Sequence, residues 1–299
     1  MVSVITVNYN NTQVTLELLE SLYAHDGNAV EVIVVDNASR ENPERYIKEK
    51  FPLVKFIRSE RNLGFAGGNN LGIAQATGDH LFFVNNDTAF TTPIISQLVK
   101  VLEEDKTIGA VCPILVYPSG KIQFAGFTPI NAWTGRNKCL TSLASAEVKV
   151  NTSYAHGAAF MISRALVQQI GQMPEHYFLY FEELDWSAKI TQLNFKIVVL
   201  TTTQLIHKES QTVGSFSELK SYFMSRNRLL FMRRNHSRTS LTFFWFYFLL
   251  VASPMHIVRY LMSGNWNCVR AHLAGIFWNI RWSGDSLTLG YKYNHLNQI

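Results

Sequence analysis

Apolar runs of strand length and segments with helical apolar spacing take turns along the first 120 residues. VSVITVNY (2–9), EVIVVD (31–36), VKFIRS (54–59) and HLFFVNND (80–87) are short, apolar and β-rich, and predict strands. Between the first two, VTLELLESLYA (14–24) places Val14, Leu18 and Leu22 with Leu19 and Tyr23 at helical spacing. NLGIAQAT (70–77) and the 93–104 segment read as further helices. Residues 106–155 are less regular, broken by Gly, Pro and Asn. GAAFMISRALVQQIG (157–171) reads as a strand entering a helix that stops at Gly171. FLYFEELDWSAKITQLN (178–194) predicts a helix with acids near its start, where the macrodipole favours them. FKIVVL (195–200) is another strand, leading to Leu205-Ile206-His207. No internal repeat or low-complexity stretch interrupts the series.

Strand–helix alternation predicts an α/β fold, a mostly parallel sheet flanked by helices. In such sheets the ligand sits beyond the carboxyl ends of the strands. Polar clusters fall at those ends: Asn8-Tyr9-Asn10, Asp36-Asn37-Ala38-Ser39 and Asn85-Asn86-Asp87. Three together point to a nucleotide site.

Four features carry candidate chemistry. ERNLGFAGGNNLG (60–72) has glycines at 64, 67, 68 and 72, which fit neither G-x-G-x-x-G nor a P-loop. It is open to two readings: a turn with close helix packing, or a loop whose backbone approaches a nucleotide sugar. Asp87 closes VNND at a strand end, where a carboxylate suits a hard divalent cation; a plain turn is the alternative. FEELDW (181–186) places three acids within four residues, and adjacent like charges raise each other's pKa, as a general base requires. The alternative is a solvated helix start. His207 follows an apolar strand, a position where a structural role is the ordinary one.

Taken in order and spacing, VSVITVNYN, VVDNAS, ERNLGFAGGNNLG, FFVNNDT, GAAFMISR, FLYFEELDW and the closing LIH resemble glycosyltransferase family 2, over most of residues 2–234. The likeness is greatest to its rhamnosyltransferase-like and galactofuranosyltransferase-like members. The resemblance implies the GT-A nucleotide-diphospho-sugar transferase fold. It implies that Asp36 hydrogen-bonds the nucleotide base, with Val7 and Tyr9 beside it. Asn85-Asn86-Asp87 occupies the metal-binding Asp-x-Asp position, with Asp87 as ligand; Asn85 replaces the first acid and leaves fewer charges for the metal. Glu183 matches the catalytic base, with Glu182 the alternative, and Asp185 orients the acceptor or braces the helix. His207 matches a second ligand for Mg²⁺ or Mn²⁺. Asn37, Asn62, Gly67, Asn69, Asn86 and Trp186 complete the expected substrate-binding set. The implied reaction is a single inverting displacement on a dTDP- or UDP-sugar, with rhamnose or galactofuranose among the candidate sugars. The acceptor is a polysaccharide or lipid-linked glycan. A nucleotide-sugar-binding protein without turnover is the rival.

Charge divides the chain further. From residue 219 onward ten Lys/Arg face one acid, Asp285, a net +9, whereas residues 1–218 carry 17 basic and 21 acidic residues, a net −4. Four of the six tryptophans lie in that tail. The expected organisation is therefore a catalytic domain, 1–218, and a basic, aromatic helical region, 219–299, facing an anionic surface. In the 219–235 segment Arg226 falls within the apolar stripe and needs an anionic partner, either a core carboxylate or the donor diphosphate. FFWFYFLLVA (243–252) is ten apolar residues, about half a membrane span, and Pro254, His256 and Arg259 interrupt its continuation. An in-plane or re-entrant helix is expected, with a homo-oligomer or domain interface as the alternative. No nucleic-acid motif accompanies the arginines, so nucleic acid is not expected as a partner. Met1 leads straight into a strand, and three scattered cysteines suit a reducing compartment. The expected location is the cytoplasm, peripherally on the inner face of the cell membrane.

Overall fold

The computed structural model describes residues 1–27, 30–143, 147–208 and 217–294. The predicted strands become β1 (Val2–Asn8), β2 (Val30–Asp36), β3 (Lys55–Arg58) and β4 (His80–Val84), and the first helix is α1 (Thr12–His25). Leu18, Leu19 and Leu22 form its buried face. β1 runs parallel to β2 and β4, and β2 parallel to β3. β9 (Ala159–Ser163) then runs antiparallel between β4 and β6 (Ile108–Val116). β10 (Lys196–His207) lies parallel to β6, and two-residue β5 (Thr88–Ala89) pairs antiparallel with its end. β7 (Ile122–Phe124) and β8 (Lys149–Thr152) pair off the main path, so the finished sheet is mixed. Helices α2 (Glu44–Lys50), α4 (Ile95–Glu104), α5 (Arg164–Ile170) and α6 (Glu182–Gln192) complete this part. Gly171 ends α5 with a φ of 79°, as the sequence predicts.

One stretch differs from expectation, and another resolves an open reading. β6, buried throughout, lies inside the supposedly irregular 106–155 segment. Its breakers have local reasons. A Cβ at Gly109 would press on Ile190 and Leu166, and Pro113 sits where the β6–β10 pairing skips from Leu200 to Gln204. Of the two readings of the glycine-rich run, close helix packing is the one found: Gly64–Gln75 forms α3, with Gly67, Gly68 and Gly72 inside it. The glycines let α3 lie directly on β1. A Cβ at Gly68 would come within 2.9 Å of Val7 Cγ1, and one at Gly72 would overlap Ile5 Cγ2.

The C-terminal region is helical: α7 (Glu218–Asn235), α8 (Arg238–Tyr247), α9 (Ser253–Met262) and α10 (Trp266–Arg281). A π-turn, Phe248–Ala252, joins α8 to α9. Pro254 does not break the run: it follows directly on the π-turn, whose altered hydrogen-bond register accommodates the missing N–H at the start of α9. The result is one 25-residue helix, Arg238–Met262, long and apolar enough to cross a membrane by length and composition. The largest buried cluster ends at Leu205. A second cluster joins Tyr177, Phe181 and Leu184 to α7, α8 and α10, so the tail packs on the start of α6.

Gly72→Ala tests the α3–β1 contact. Alanine gains about 1 kcal/mol of helix propensity, but overpacking against buried Ile5 costs about 1–3 kcal/mol. The variant is expected to melt below the parent. An equal or higher melting temperature would show that α3 does not depend on this approach.

Candidate active site

The strand-end clusters come together as predicted, with Asn8 and Asp36 in register. Asn8 Nδ2 donates to Asp36 Oδ1 at 2.9 Å and to Ser39 Oγ at 3.2 Å, and Asn8 Oδ1 accepts from Thr15 Oγ1 at 2.8 Å. Asn86 Nδ2 donates to the same Thr15 hydroxyl at 3.0 Å, tying the β4 end to the β1 end through α1. Asp36 is fully buried, with Oδ2 accepting from the Ser39 N–H at 3.2 Å and facing Arg58 Nε at 3.7 Å. Tyr9 is exposed and Val7 half-buried against α3. Beside them Asn10, Thr12, Ser39, Arg40 and Glu41 line an open cleft of about 440 Å³. Asn10 and Ala38 hold positive φ there (55° and 64°), turning both chains outward.

The two expected metal ligands, 120 residues apart, do meet. The β5–β10 pairing places His207 opposite Thr88 and brings its Nε2 to 3.3 Å from Asp87 Oδ1. His207 Nδ1 faces Gln123 Oε1 at 2.7 Å, which orients the ring. Asn85 is half-buried beside them; its N–H donates to the Ala158 carbonyl at 2.8 Å. Among the described residues no group of three or more His, Cys, Asp or Glu is placed to hold a metal. One carboxylate oxygen and one imidazole nitrogen fit Mn²⁺ or Mg²⁺ when substrate oxygens and water supply the remaining positions. His156, which the sequence did not single out, lies with its ring centroid 6.0 Å from that of His207. Burial, then the His207 charge, pushes His156 down to about 3, so it remains neutral.

The acids of FEELDW part company. α6 begins at Glu182, and the segment before it bends sharply, with φ of 65°, 70° and 76° at Phe178, Tyr180 and Phe181. None is glycine, so each conformation stores strain. The Asn227 amide holds the segment. Nδ2 donates to the Tyr177, Leu179 and Tyr180 carbonyls at 2.9, 2.8 and 2.8 Å. On the other side the Phe65 N–H donates to the Phe178 carbonyl at 2.7 Å. Gly64, at φ 72°, is required there, since a Cβ would run into that carbonyl.

Glu182 is buried and Glu183 half-buried, and Oε2 of each lacks a hydrogen-bond partner among the described residues. Burial pushes Glu183 up to about 7, and burial plus the Glu183 charge pushes Glu182 well above the carboxylate range. The folded state therefore holds protons that the unfolded chain releases near 4.5, so Glu183 costs stability as pH rises from there toward about 7, and Glu182 costs stability in the same direction. A Cβ on Gly157 would sit 3.7 Å from the Glu183 carboxyl carbon. His156, Gly157 and Ala158 thus touch His207, Glu183 and Asn85 in turn. One tripeptide separates the prospective base from the Asp87–His207 pair. Asp185 is a brace: Oδ1 accepts from Tyr177 OH at 3.1 Å and from Asn235, with Arg234 Nε at 3.7 Å.

Other expected contacts are spent on the fold. Trp186 is not at the cleft; it is buried between Phe83 and Phe160, with Nε1 donating to the Gly171 carbonyl at 2.9 Å. Arg226 meets neither a core carboxylate nor the cleft. It is fully buried 3.8 Å from the Trp278 ring centroid and donates to Asn227 Oδ1 at 2.7 Å and the Thr288 carbonyl at 3.3 Å. Burial lowers it to about 10. Asn37 and Asn62 bond each other and the backbone at Leu63 and Gly64, fixing the entry to α3. Asn69 caps the Phe65 carbonyl inside α3, and Gly67 is buried against Leu63.

The arrangement combines a polar nucleotide-sized cleft, an oxygen–nitrogen pair suited to a divalent cation, and a carboxyl poised near neutrality. A model of glycosyl transferase family 2 matches residues 3–171. A low-salt glycan biosynthesis hexosyltransferase of Haloferax volcanii is 26% identical over 234 residues, covering 76% of this chain and 74% of that protein. An N-acetylglucosaminyl-diphospho-decaprenol L-rhamnosyltransferase of Mycobacterium tuberculosis is 21% identical over 262 residues, covering 78% and 84%. Among solved structures, GalNAc-T7 with UDP, GalNAc and Mn²⁺ superposes with a TM-score of 0.61 at 16% identity, over 85% of this chain and 57% of that longer one. The mannosyltransferase PcManGT of Pyrobaculum calidifontis, with GDP-Man and Mn²⁺, gives 0.57 at 17% identity, over 100% and 88%. At these identities the structural likeness is one of fold, and the fold is GT-A.

Asn227→Ala removes one donor from three carbonyls. It is expected to cost about 1–3 kcal/mol, read as a lower urea midpoint, and to lower turnover. A variant with unchanged midpoint and turnover would show that the 177–180 segment is held by its other contacts.

Proposed function

The chain belongs to glycosyl transferase family 2, and as a glycosyltransferase of GT-A fold we propose that it moves a sugar from a dTDP- or UDP-sugar to a glycan acceptor, inverting the anomeric carbon. The observation that carries this reading is Glu183: a half-buried carboxyl poised near neutrality, one tripeptide away from Asp87 and His207. Glu183 takes the proton from the acceptor hydroxyl as its oxygen attacks the anomeric carbon. Glu182, held protonated, keeps a second negative charge away from that carboxylate. The base is received at the β1 and β2 ends beside Val7 and Tyr9, where Asp36, fully buried with both oxygens bonded, braces the site from below rather than touching the base, and Asn85 and Asn86 line the approach to the cation pair. A divalent cation on Asp87 and His207, Mn²⁺ or Mg²⁺, would neutralise charge on the donor diphosphate. Asn37, Asn62, Gly67 and Asn69 set the backbone of α3 rather than touch substrate.

The acceptor is placed by the C-terminal helices. The Mycobacterium relative's name carries a diphospho-decaprenol acceptor, and this reading extends lipid linkage and rhamnose to the present chain. Phe244, Phe248 and Ala252 bury one face of Arg238–Met262, while Phe246, Leu250, Met255 and Met262 leave the other face exposed. The buried residues hold the first half of the helix against the protein, while Pro254, His256 and Arg259 interrupt the exposed apolar face of the second half, so the in-plane reading is favoured over a span. The proposed location is the cytoplasmic face of the membrane, with 1–218 catalytic and 219–299 facing the lipid.

The test is a donor screen with Mn²⁺, reading released UDP or dTDP with each nucleotide sugar. Glu183→Gln is expected to fold and to lose transfer by ~10²–10⁴-fold. The parent's kcat/KM should rise with pH through about 7, as Glu183 loses its proton, and then level. Near-normal turnover in the variant would remove Glu183 as base, and release of neither UDP nor dTDP by the parent from any donor would leave the non-catalytic rival. In a separate test the full chain should float with anionic liposomes; a chain that stays at the bottom ends the membrane reading.

A further inference from the structure

A second cavity, of about 150 Å³, lies between α7, α9 and α10, walled by Lys220, Arg228, His256, Arg259, Tyr260 and His272. That is below the roughly 300 Å³ at which drug-sized ligand sites begin. Among the described residues, the groups acting on Arg228 and His256 are arginines and tyrosines, Arg136 among them, and no carboxylate. Arg228 Nε has no hydrogen-bond partner among the described residues. Burial, then repulsion from Arg136, lowers Arg228 to about 10. A desolvated guanidinium without an anion is costly, so this cavity gains by receiving one. His272 is a neutral wall. Ser225 donates its hydroxyl proton to the Ser221 carbonyl at 2.8 Å and so accepts from His272 Nδ1, while Ser253 Oγ faces Nε2 at 2.8 Å.

The cavity has an apolar neighbour. Pro254, Met255, Val258 and Met262 form an exposed groove on α9, and Arg259 lines both groove and cavity. A ligand that suits both has an anionic head of a few atoms and a hydrocarbon chain. We propose that this cavity takes the phosphate head of a membrane lipid, whose chain lies along the apolar side of α9. This rests on the in-plane reading of α8 and α9 given above. Free phosphate matches the cavity equally well, but not the groove.

The test uses the full chain with vesicles of phosphatidylcholine alone or with added phosphatidic acid, and with inorganic phosphate alone. Co-sedimentation with phosphatidic acid vesicles is expected to weaken about tenfold in Arg259→Gln and in Lys220→Gln, the scale of one lost charge-assisted contact. Arg270→Gln, an exposed cation outside the cavity, should bind within about twofold of the parent, as a merely screened surface charge does. Release of UDP or dTDP from the donor alone should be unchanged in all three. Equal loss in all three variants, or loss in none, overturns the proposal while leaving the membrane reading intact. Inorganic phosphate that binds, with no vesicle preference for phosphatidic acid, overturns the lipid assignment. A parent chain that binds no vesicle at all overturns both.

Discussion

One side-chain amide, that of Asn227, holds the shape on which the rest of the site depends. Three residues at positive φ, none of them glycine, would relax if the chain were free to choose. Strain of this kind persists only where the surroundings over-determine it. Here α7 supplies the donor from one side and the Phe65 N–H from α3 supplies another from the opposite side. Arg226 fixes the amide in turn through its Oδ1, and Trp278 fixes Arg226. The start of α6, and with it the Glu182–Glu183 pair, is therefore set by packing some forty residues further along the chain.

That chain of support changes the meaning of the charge division. Read from the sequence, the basic tail supplies location and the acidic body supplies chemistry. In the structure, Asn227, Arg234 and Asn235 of the tail all reach the loop and helix that carry the candidate base. Arg226, Arg233 and Arg234 spend their donors on carbonyls, amides and Asp285. Part of the +9 is thus internal structure, and Arg228, whose Nε has no hydrogen-bond partner among the described residues, is left to meet an anion.

The parallel half of the sheet was legible because its strands are short apolar runs closed by polar clusters, and its helices keep one apolar face. Asp87 was legible as a strand-end carboxylate, but its pairing with His207 only through the family pattern, since nothing in their spacing foretells the β5–β10 pairing. The glycines of 60–72 left two readings open, and the structure shows the one of close helix packing: a helix that rests directly on a strand needs glycine where an isolated helix would avoid it. Trp186 and Arg226 misled: both belong to residue types that bind ligands and equally fill cores, and only tertiary packing separates the two uses. Asn227 left no signal, because an amide in a helix has no pattern until the strained carbonyls it serves are in place.

The tripeptide His156-Gly157-Ala158 sits between the prospective base and the cation pair, and its Ala158 carbonyl is tied to the Asn85 N–H at the end of β4. Substitutions around the cleft would then redirect which hydroxyl is presented without retuning the proton transfer itself. In engineering terms the chemistry is a fixed cassette and the acceptor a replaceable attachment. A change of product linkage would be sought in the surfaces that deliver the acceptor, and not among the acids of α6.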